Sequence, residues 1–471
     1  MYDAIVIGSG PNGLAAAITL ARTGKHVKIF ELRDTTGGGT RTLSLTLPEF
    51  KHDICSAIHP LGYASPFLSS LPLTDYGLEW IHPDIPLSHP LDSGRAVHLY
   101  KSLEKTAQSL GVDRDFYTNI FEPLTNNWNS LAQDILAPLQ WPNAPIQMAK
   151  FGFKAIQSAQ KFAGRNFKTL EAKAVFGGLA AHSILSLDRA ATSGIGLVLG
   201  ILAHHVGWPF PKGGSQELIG AMSSYFKSLG GEIETGFRVE SLDQLPESAT
   251  YFFDTTPKQM VDICGDKLSN RYKKRVSTFK YGHGVFKIDA ALSEPIPWQN
   301  KLCQKAGTVH VGGTLEEICY SENQISNGKH PEKPYVLVAQ QSNFDNTRAP
   351  GNSHTLWAYC HVPSGSEKNM TQSILDQIER FAPGFRDCIL ETHTTNTREF
   401  ETYNPNYIGG DINGGAANIT QLFTRPIVKR SPYSTSNKKV YICSSSTPPG
   451  GGVHGMCGYH AARAALKSIL K

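Results

Sequence analysis

Apolar positions run unbroken from Ala4 to Ile7, stop at Gly8, and resume from Leu14 to Ala21. A short run that is apolar at every position suits a parallel strand covered on both faces, and the longer tract past the turn suits a buried helix. A second strand is predicted at His26 to Phe30, ending on Glu31, so the chain opens as strand, glycine turn, helix, strand. Related patterns return twice. Trp208-Pro209-Phe210-Pro211-Lys212-Gly213-Gly214-Ser215 leads into a predicted helix reaching Phe226, then a turn at Gly230-Gly231 and a strand within Glu232 to Glu240. Lys439 to Cys443 predicts a further strand, followed by a turn rich in serine, proline and glycine and a helix to the C-terminus. Three separated pieces of one domain imply that the stretches between them form another.

The opening turn, Gly8-Ser9-Gly10-Pro11-Asn12-Gly13, fits GxGxxG in the setting that gives this pattern meaning, with a strand before it and a helix after. Gly8 makes the tight turn, Gly10 clears the way for a pyrophosphate to touch backbone, and Gly13 allows close packing of helix on strand. The helix N-terminus then offers unpaired amides and a positive dipole end to the phosphates. Glu31, with Leu32 beside it, is placed to accept both ribose hydroxyls of a dinucleotide. A second cluster, Gly37-Gly38-Gly39-Thr40-Arg41, brings backbone to the diphosphate from its other side and resembles the extended FAD signature of the glutathione-reductase-type flavoproteins. FAD is therefore the expected cofactor. Many such proteins place arginine where this chain has Thr40, which leaves the role of Arg41 open. Backbone near Val239 is expected against the adenine edge.

Gly450, Gly452 and Gly455 also spell GxGxxG, but six residues separate the strand from the first of them and the chain ends before a βαβ unit could follow. This block, with Ser445, Gly451, Val453, His454 and Met456, is read instead as a wall of the flavin. A helix from about Val453 would aim its dipole at the N1 and C2 carbonyl edge, where reduction places negative charge.

At 471 residues, with 40% hydrophobic and 18% charged positions, the chain is long and apolar enough for two or three domains with a large core. A net charge of +5 is small for this length, and with no nucleic-acid-binding motif it argues against a nucleic-acid partner. The eight cysteines are scattered with no CxxC pair, which argues against a dithiol relay. No metal-ligand spacing such as HExxH appears. The first strand begins next to Met1 and no stretch is long and apolar enough to span a bilayer, so a cytoplasmic location is expected, with Asn369 and Asn418 unglycosylated.

Several blocks together resemble the phytoene desaturase-related FAD-dependent oxidoreductases, the family that includes carotenoid desaturases and isomerases. They are Gly8 to Glu31, Gly37 to Arg41, Lys212-Gly213-Gly214-Ser215, Gly230 to Val239, and Pro449 to Met456. His52 to Pro60 and Tyr403 to Asp411 resemble a narrower branch, akin to the pyridine nucleotide-disulphide oxidoreductase domain-containing protein 2 group. The resemblance covers nearly the whole chain. It implies an α/β protein with a discontinuous, glutathione-reductase-type FAD-binding Rossmann-like domain (1–75, 208–285 and 425–471) and a substrate domain of mixed sheet and helices (76–207 and 286–424). It also implies hydride transfer between a lipophilic or unsaturated substrate and flavin N5. No nicotinamide domain is visible, so oxygen, a quinone or another carrier is the expected electron acceptor. A reduced-flavin polyene isomerase and a flavin-bearing interaction protein without turnover are the other readings; oligomeric state is left open.

Phe176 to Leu185 and Gly194 to Val206 are apolar and glycine-rich, suited equally to the walls of a lipophilic pocket and to a packed helical core. His59, Asp411 and His454 are the candidate acids or bases, with His182, His204 and His205 as further histidines. Asp411 also fits a turn-forming role. Between Asp134 and Glu171 no acid occurs, while Lys150, Lys154, Lys161, Arg165 and Lys168 fall within roughly 60° on one helix. Met148, Phe151, Ala155, Ala159, Phe162 and Ala163 occupy its other side. Such a basic amphipathic helix over 148–168 suits either an anionic membrane surface or a lid with a solvated basic stripe.

Overall fold

The computed structural model describes residues 1–471. Five parallel strands form the first sheet, in the order Val440–Ile442, Ser248–Phe253, Tyr2–Ile7, Val27–Phe30, Glu232–Glu234. The central strand explains the unbroken apolar run. Ala4 and Val6 face the helical layer containing Pro11–Ala21, whereas Ile5 and Ile7 face an opposite cluster with Phe30, Val239, Met260 and Tyr272. From Ala4 to Ile7 both faces are covered, so those positions are all apolar, whereas Asp3 sits at the half-buried start of the strand.

Close contacts fix the helical layer. A Cβ on Gly13 would lie 2.2 Å from Gly8 O, and one on Gly458 would lie 1.8 Å from Asn12 O. Gly458 therefore lets the last helix, Met456–Leu466, sit directly on the first, Pro11–Ala21. That last helix begins at Met456 and not near Val453, because Gly455 turns the chain with φ +70°.

The second sheet has seven strands, in the order Ile389–Thr395, Gly284–Leu292, His354–Val362, Val336–Ala339, Ala306–Val311, Ile85–Pro90, Ala96–Leu99. All neighbours are antiparallel except Ala306–Val311 with Ile85–Pro90. Gly284–Leu292 pairs with His354–Val362 along its whole length, so the chain enters this sheet at Gly284 and the expected boundary at 285 falls inside a strand. Helix 170–181 packs on Ile85–Pro90 and Ala96–Leu99 at one side of the sheet, and helix 192–205 packs on that helix.

Two segments depart from the sequence reading. The strand Glu232–Glu234 is short, and Val239 lies beyond it on an irregular segment that Gly236, with φ +69°, turns back along the second strand. There Gly236 N donates to Arg33 O and Phe237 N to Glu31 O. The basic tract 148–168 is two helices, Pro145–Ala155 and Ala159–Asn166. Ser158 breaks the run by capping the second, its hydroxyl accepting from Lys161 N, so the five cations do not share one helix.

Candidate active site

Two clefts meet at the glycine turn. The first, about 320 Å³, runs past Gly8, Ser9, Gly10, Glu31, Leu32, Arg33 and Arg41 to Phe237, Val239 and Glu240. The second, about 290 Å³, is bounded by Pro11, Asn12, Gly39, Thr40, Ser445, Gly452 and Val453 on one side. Leu199, Trp208, Leu337, Trp357 and Tyr359 bound it on the other. Gly10, Gly38, Asp254, Asn404 and Asn406 line both, so the clefts form one continuous channel from the sheet edge into the second domain.

At the first cleft, the buried Glu31 carboxylate accepts from Ser9 N at 2.9 Å and Arg33 N at 2.9 Å, and pairs with Arg41 Nη2 at 3.1 Å. Arg41 also donates to the Thr35 and Gly38 carbonyls, so it clamps the glycine loop of 37–39 to the second strand. Tyr407 seals this loop from above. A Cβ on Gly39 would come within 1.8 Å of its hydroxyl.

Asp254, which ends the strand Ser248–Phe253, has no counterpart in the sequence reading. Its Oδ2 accepts from Gly13 N at 2.9 Å, capping the first helix, whose N-cap Gly10 has no side chain to do so. Burial, with a smaller contribution from the nearby Glu31 carboxylate, pushes its pKa up to about 8. The segment Asp254-Thr255-Thr256-Pro257 reads as an ordinary strand-to-helix turn, and only the folded sheet brings it against the glycines.

Lys212-Gly213-Gly214-Ser215 joins the two domains rather than lining either cleft. Gly213 N donates to Asp345 Oδ2 at 2.7 Å and Ser215 N to Asp53 Oδ1 at 2.8 Å. The buried Arg348 bridges both carboxylates. The fully desolvated network is satisfied because backbone amides take up the remaining carboxylate oxygens.

The candidate acids and bases are mostly engaged elsewhere. Asp411 accepts from the amides of Gly282, Asn413 and Gly415 at 2.7 to 2.8 Å, so it organises a turn. His454 accepts from Met456 N through Nδ1, and burial lowers it to about 4. Gly450, Gly451, His454 and Met456 stand behind the wall that Ser445, Gly452 and Val453 present, with Gly450 packed on Arg425 and Gly451 on Asn413. His59 reaches the second cleft, its Nε2 paired with Ser215 Oγ at 2.8 Å and its pKa lowered to about 4 by burial. His204 is held between Tyr117 and Tyr100, away from the channel.

His182 lies at the far end of the second cleft with its Nε2 3.0 Å from His310 Nε2. Burial lowers it to about 3 and also holds His310 well below the ordinary imidazole value, so both imidazoles are neutral and one donates to the other. Gly178 makes room for this pair, since a Cβ there would lie 2.8 Å from His310 Nδ1. The glycine-rich tract 176–185 thus holds a packed helix and, at its end, a cavity wall. The eight cysteines are all unpaired; Cys55 lines the second cleft, its thiol pushed up to about 11 by burial.

The model of the NAD(P)-binding Rossmann-like domain matches residues 6–71. Over 99% of its length the chain is 24% identical to mouse pyridine nucleotide-disulfide oxidoreductase domain-containing protein 2, covering 94% of that protein. It is 22% identical to one of the subunits of limonene dehydrogenase from Castellaniella defragrans, over 99% of this chain and 95% of that one. Putrescine oxidase bound to putrescine superposes with a TM-score of 0.63 at 16% identity, covering 100% of this chain and 99% of that one. The protein thus has the fold of the FAD-dependent oxidoreductase superfamily. Within it, the chain is similar over its full length to pyridine nucleotide-disulfide oxidoreductase domain-containing protein 2 and to the limonene dehydrogenase subunit.

No helix is long and apolar enough to cross a membrane.

Proposed function

We propose that the protein binds FAD along the channel and oxidises a lipophilic, unsaturated substrate of the phytoene desaturase type at a carbon–hydrogen bond. The observation that carries this reading is the second cleft. Ile58, Leu61, Leu199, Trp208, Leu337 and Trp357 supply its apolar lining, and the imidazoles that reach it are held neutral by burial.

The residues present fit FAD. Glu31 offers a carboxylate at the end of the second strand, the glycines at 8, 10 and 38 keep side chains out of the channel, and Asn12 Oδ1 and His59 Nδ1 are buried without partners. Glu31, Leu32 and the segment Phe237 to Glu240 would hold the adenosine end, the turn at 8–13 the diphosphate, and Gly38 to Thr40 with Gly452 and Val453 the ring end. Bound there, the flavin supplies a hydride acceptor. The chain's own contribution is orientation and a dry pocket: Trp208, Trp357 and Tyr359 would exclude water around the substrate carbon. The name of the limonene dehydrogenase relative supports an unsaturated hydrocarbon as the substrate class. Oxygen or a quinone would reoxidise the flavin.

Anaerobic titration of FAD-loaded protein with terpenes and carotenoid precursors, read by flavin bleaching and product mass, tests the proposal. Bleaching with loss of a hydrogen pair supports it. A product of unchanged mass means isomerisation, and bleaching only by primary amines moves the chemistry to amine oxidation.

A further inference from the structure

Five large apolar side chains between Leu139 and Ile156 stand in solvent. Leu139, Trp141, Ile146, Phe153 and Ile156 are 77, 85, 69, 78 and 57% exposed. On the helix Pro145–Ala155 the exposed positions after Pro145 are Ile146, Ala149, Lys150 and Phe153, an i, i+3, i+4, i+7 stripe. Met148, Phe151 and Ala155 on its other side pack on the core. The helix is therefore apolar on both faces, the reverse of a lid that turns a polar stripe to water.

Basic charge predominates along this segment, with the Asp134 carboxylate taken up by the amides of Asn143 and Ala144 at its start. No acid occurs between Asp134 and Glu171, while Lys150, Lys154, Lys161, Arg165 and Lys168 lie within that interval. We propose that the segment Leu139–Ile156 is an in-plane anchor for an anionic phospholipid surface. The exposed tryptophan, phenylalanine and aliphatic side chains enter the boundary between headgroups and acyl chains, and the lysines meet the phosphates. A second copy of this chain on the same patch would bring like cations together across a two-fold axis, which argues for lipid over self-association.

The anchor sits next to the channel. Helix Thr192–His205 packs beneath it so closely that a Cβ on Gly194 would lie 3.3 Å from Ala155 Cβ, and Leu199 of that helix lines the second cleft. A substrate partitioned in the bilayer would thus reach the cleft from this side; this last step rests on the lipophilic-substrate reading, whereas the lipid contact itself does not.

The test is co-sedimentation of the full chain, without substrate, with vesicles of phosphatidylcholine alone or mixed with phosphatidylglycerol. Binding to the mixed vesicles should weaken with salt. The triple variant Trp141→Ser, Phe153→Ser, Ile156→Ser should reduce partitioning about tenfold or more at an unchanged melting temperature. Lys150→Glu with Lys154→Glu should abolish the preference for phosphatidylglycerol. No binding of the wild type to either vesicle, or undiminished binding by the triple variant, overturns the proposal. So does a wild-type dimer, indifferent to vesicles, that the triple variant converts to monomer. Substrate-dependent flavin bleaching in detergent-free solution is read separately, so failure here leaves the redox assignment standing.

Discussion

Asp254 Oδ2 accepts the amide hydrogen of Gly13 at 2.9 Å, which places a carboxyl group inside the glycine turn where the proposed FAD would bring its diphosphate. Oδ2 also lies 2.6 Å from where a Cβ on Gly10 would be. Two anions cannot share that turn at low cost, and the burial that raises Asp254 to about 8 keeps it protonated at neutral pH.

A pH dependence follows with a definite sign. In the unfolded chain this carboxyl ionises near its ordinary 3.8, and in the fold near about 8, so across that window the folded state holds a proton that the unfolded state has released. The contribution of Asp254 to stability is therefore fully present below the lower value and is lost as pH rises toward the upper one. FAD affinity should also fall above about pH 8, by at most about tenfold per pH unit. Asp254→Asn retains an acceptor for Gly13 and should flatten both profiles. Flavin fluorescence titrations and thermal melts across this range check it, and an unchanged slope in the variant counts against the assignment.

Removing the Glu31 carboxylate should act through two routes. Glu31→Ala takes away the ribose acceptor and strands Arg41, which is buried and pairs with it at 3.1 Å. Breaking a buried pair by deleting one partner costs about 3–5 kcal/mol. Apoprotein stability should fall by an amount of that order, and FAD uptake by more than stability alone explains. Glu31→Ala with Arg41→Met should recover stability but not FAD affinity, as read by melts and bound-flavin absorbance.

Histidine ionisation should leave the reaction untouched at ordinary pH. His59 and His182 are held to about 4 and about 3 by burial, so both stay neutral above roughly pH 5. The rate of flavin reduction by substrate is expected to be flat between about pH 5.5 and about pH 7.5. A bell-shaped profile in that interval would assign an acid or base that these imidazoles do not supply. His182→Phe should change substrate affinity more than the limiting reduction rate, since it alters the cleft wall and leaves the ring end alone.

The first sheet was legible in the sequence because its central strand is apolar throughout Ala4–Ile7 and its turn is written in glycine. The reading failed where function depends on parts distant in sequence. Asp254 reaches Gly13 across 241 residues. Lys212 to Ser215, grouped with the cofactor blocks, instead holds Asp53 and Asp345, and nothing local to the motif reveals those partners. The tract 148–168 misled for a simpler reason. Its cations align on an ideal helix, but Ser158 caps a second helix inside it; Phe151, Ala159, Phe162 and Ala163 are buried and Lys150, Lys161, Arg165 and Lys168 exposed, while Phe153 and Ile156 add exposed apolar positions that the charge pattern hides.

The contact between Gly39 and Tyr407 supports a two-residue test of the loop over the ring end of the channel. A Cβ at 39 would lie 1.8 Å from the Tyr407 hydroxyl oxygen and 3.2 Å from the ring carbon that carries it. Gly39→Ala should therefore displace Tyr407 or the loop, costing about 1–3 kcal/mol of stability and a larger share of FAD occupancy. Tyr407→Phe alone removes the offending oxygen from a site with no Cβ to collide with, so its effect should be small. In the double variant the nearest atom is the ring carbon, a tight contact that a shift of a few tenths of an ångström relieves. FAD content and melting temperature should then return most of the way to the Tyr407→Phe values. Additive losses in the double variant, measured by flavin absorbance after desalting, would show that the loop does not close against this ring.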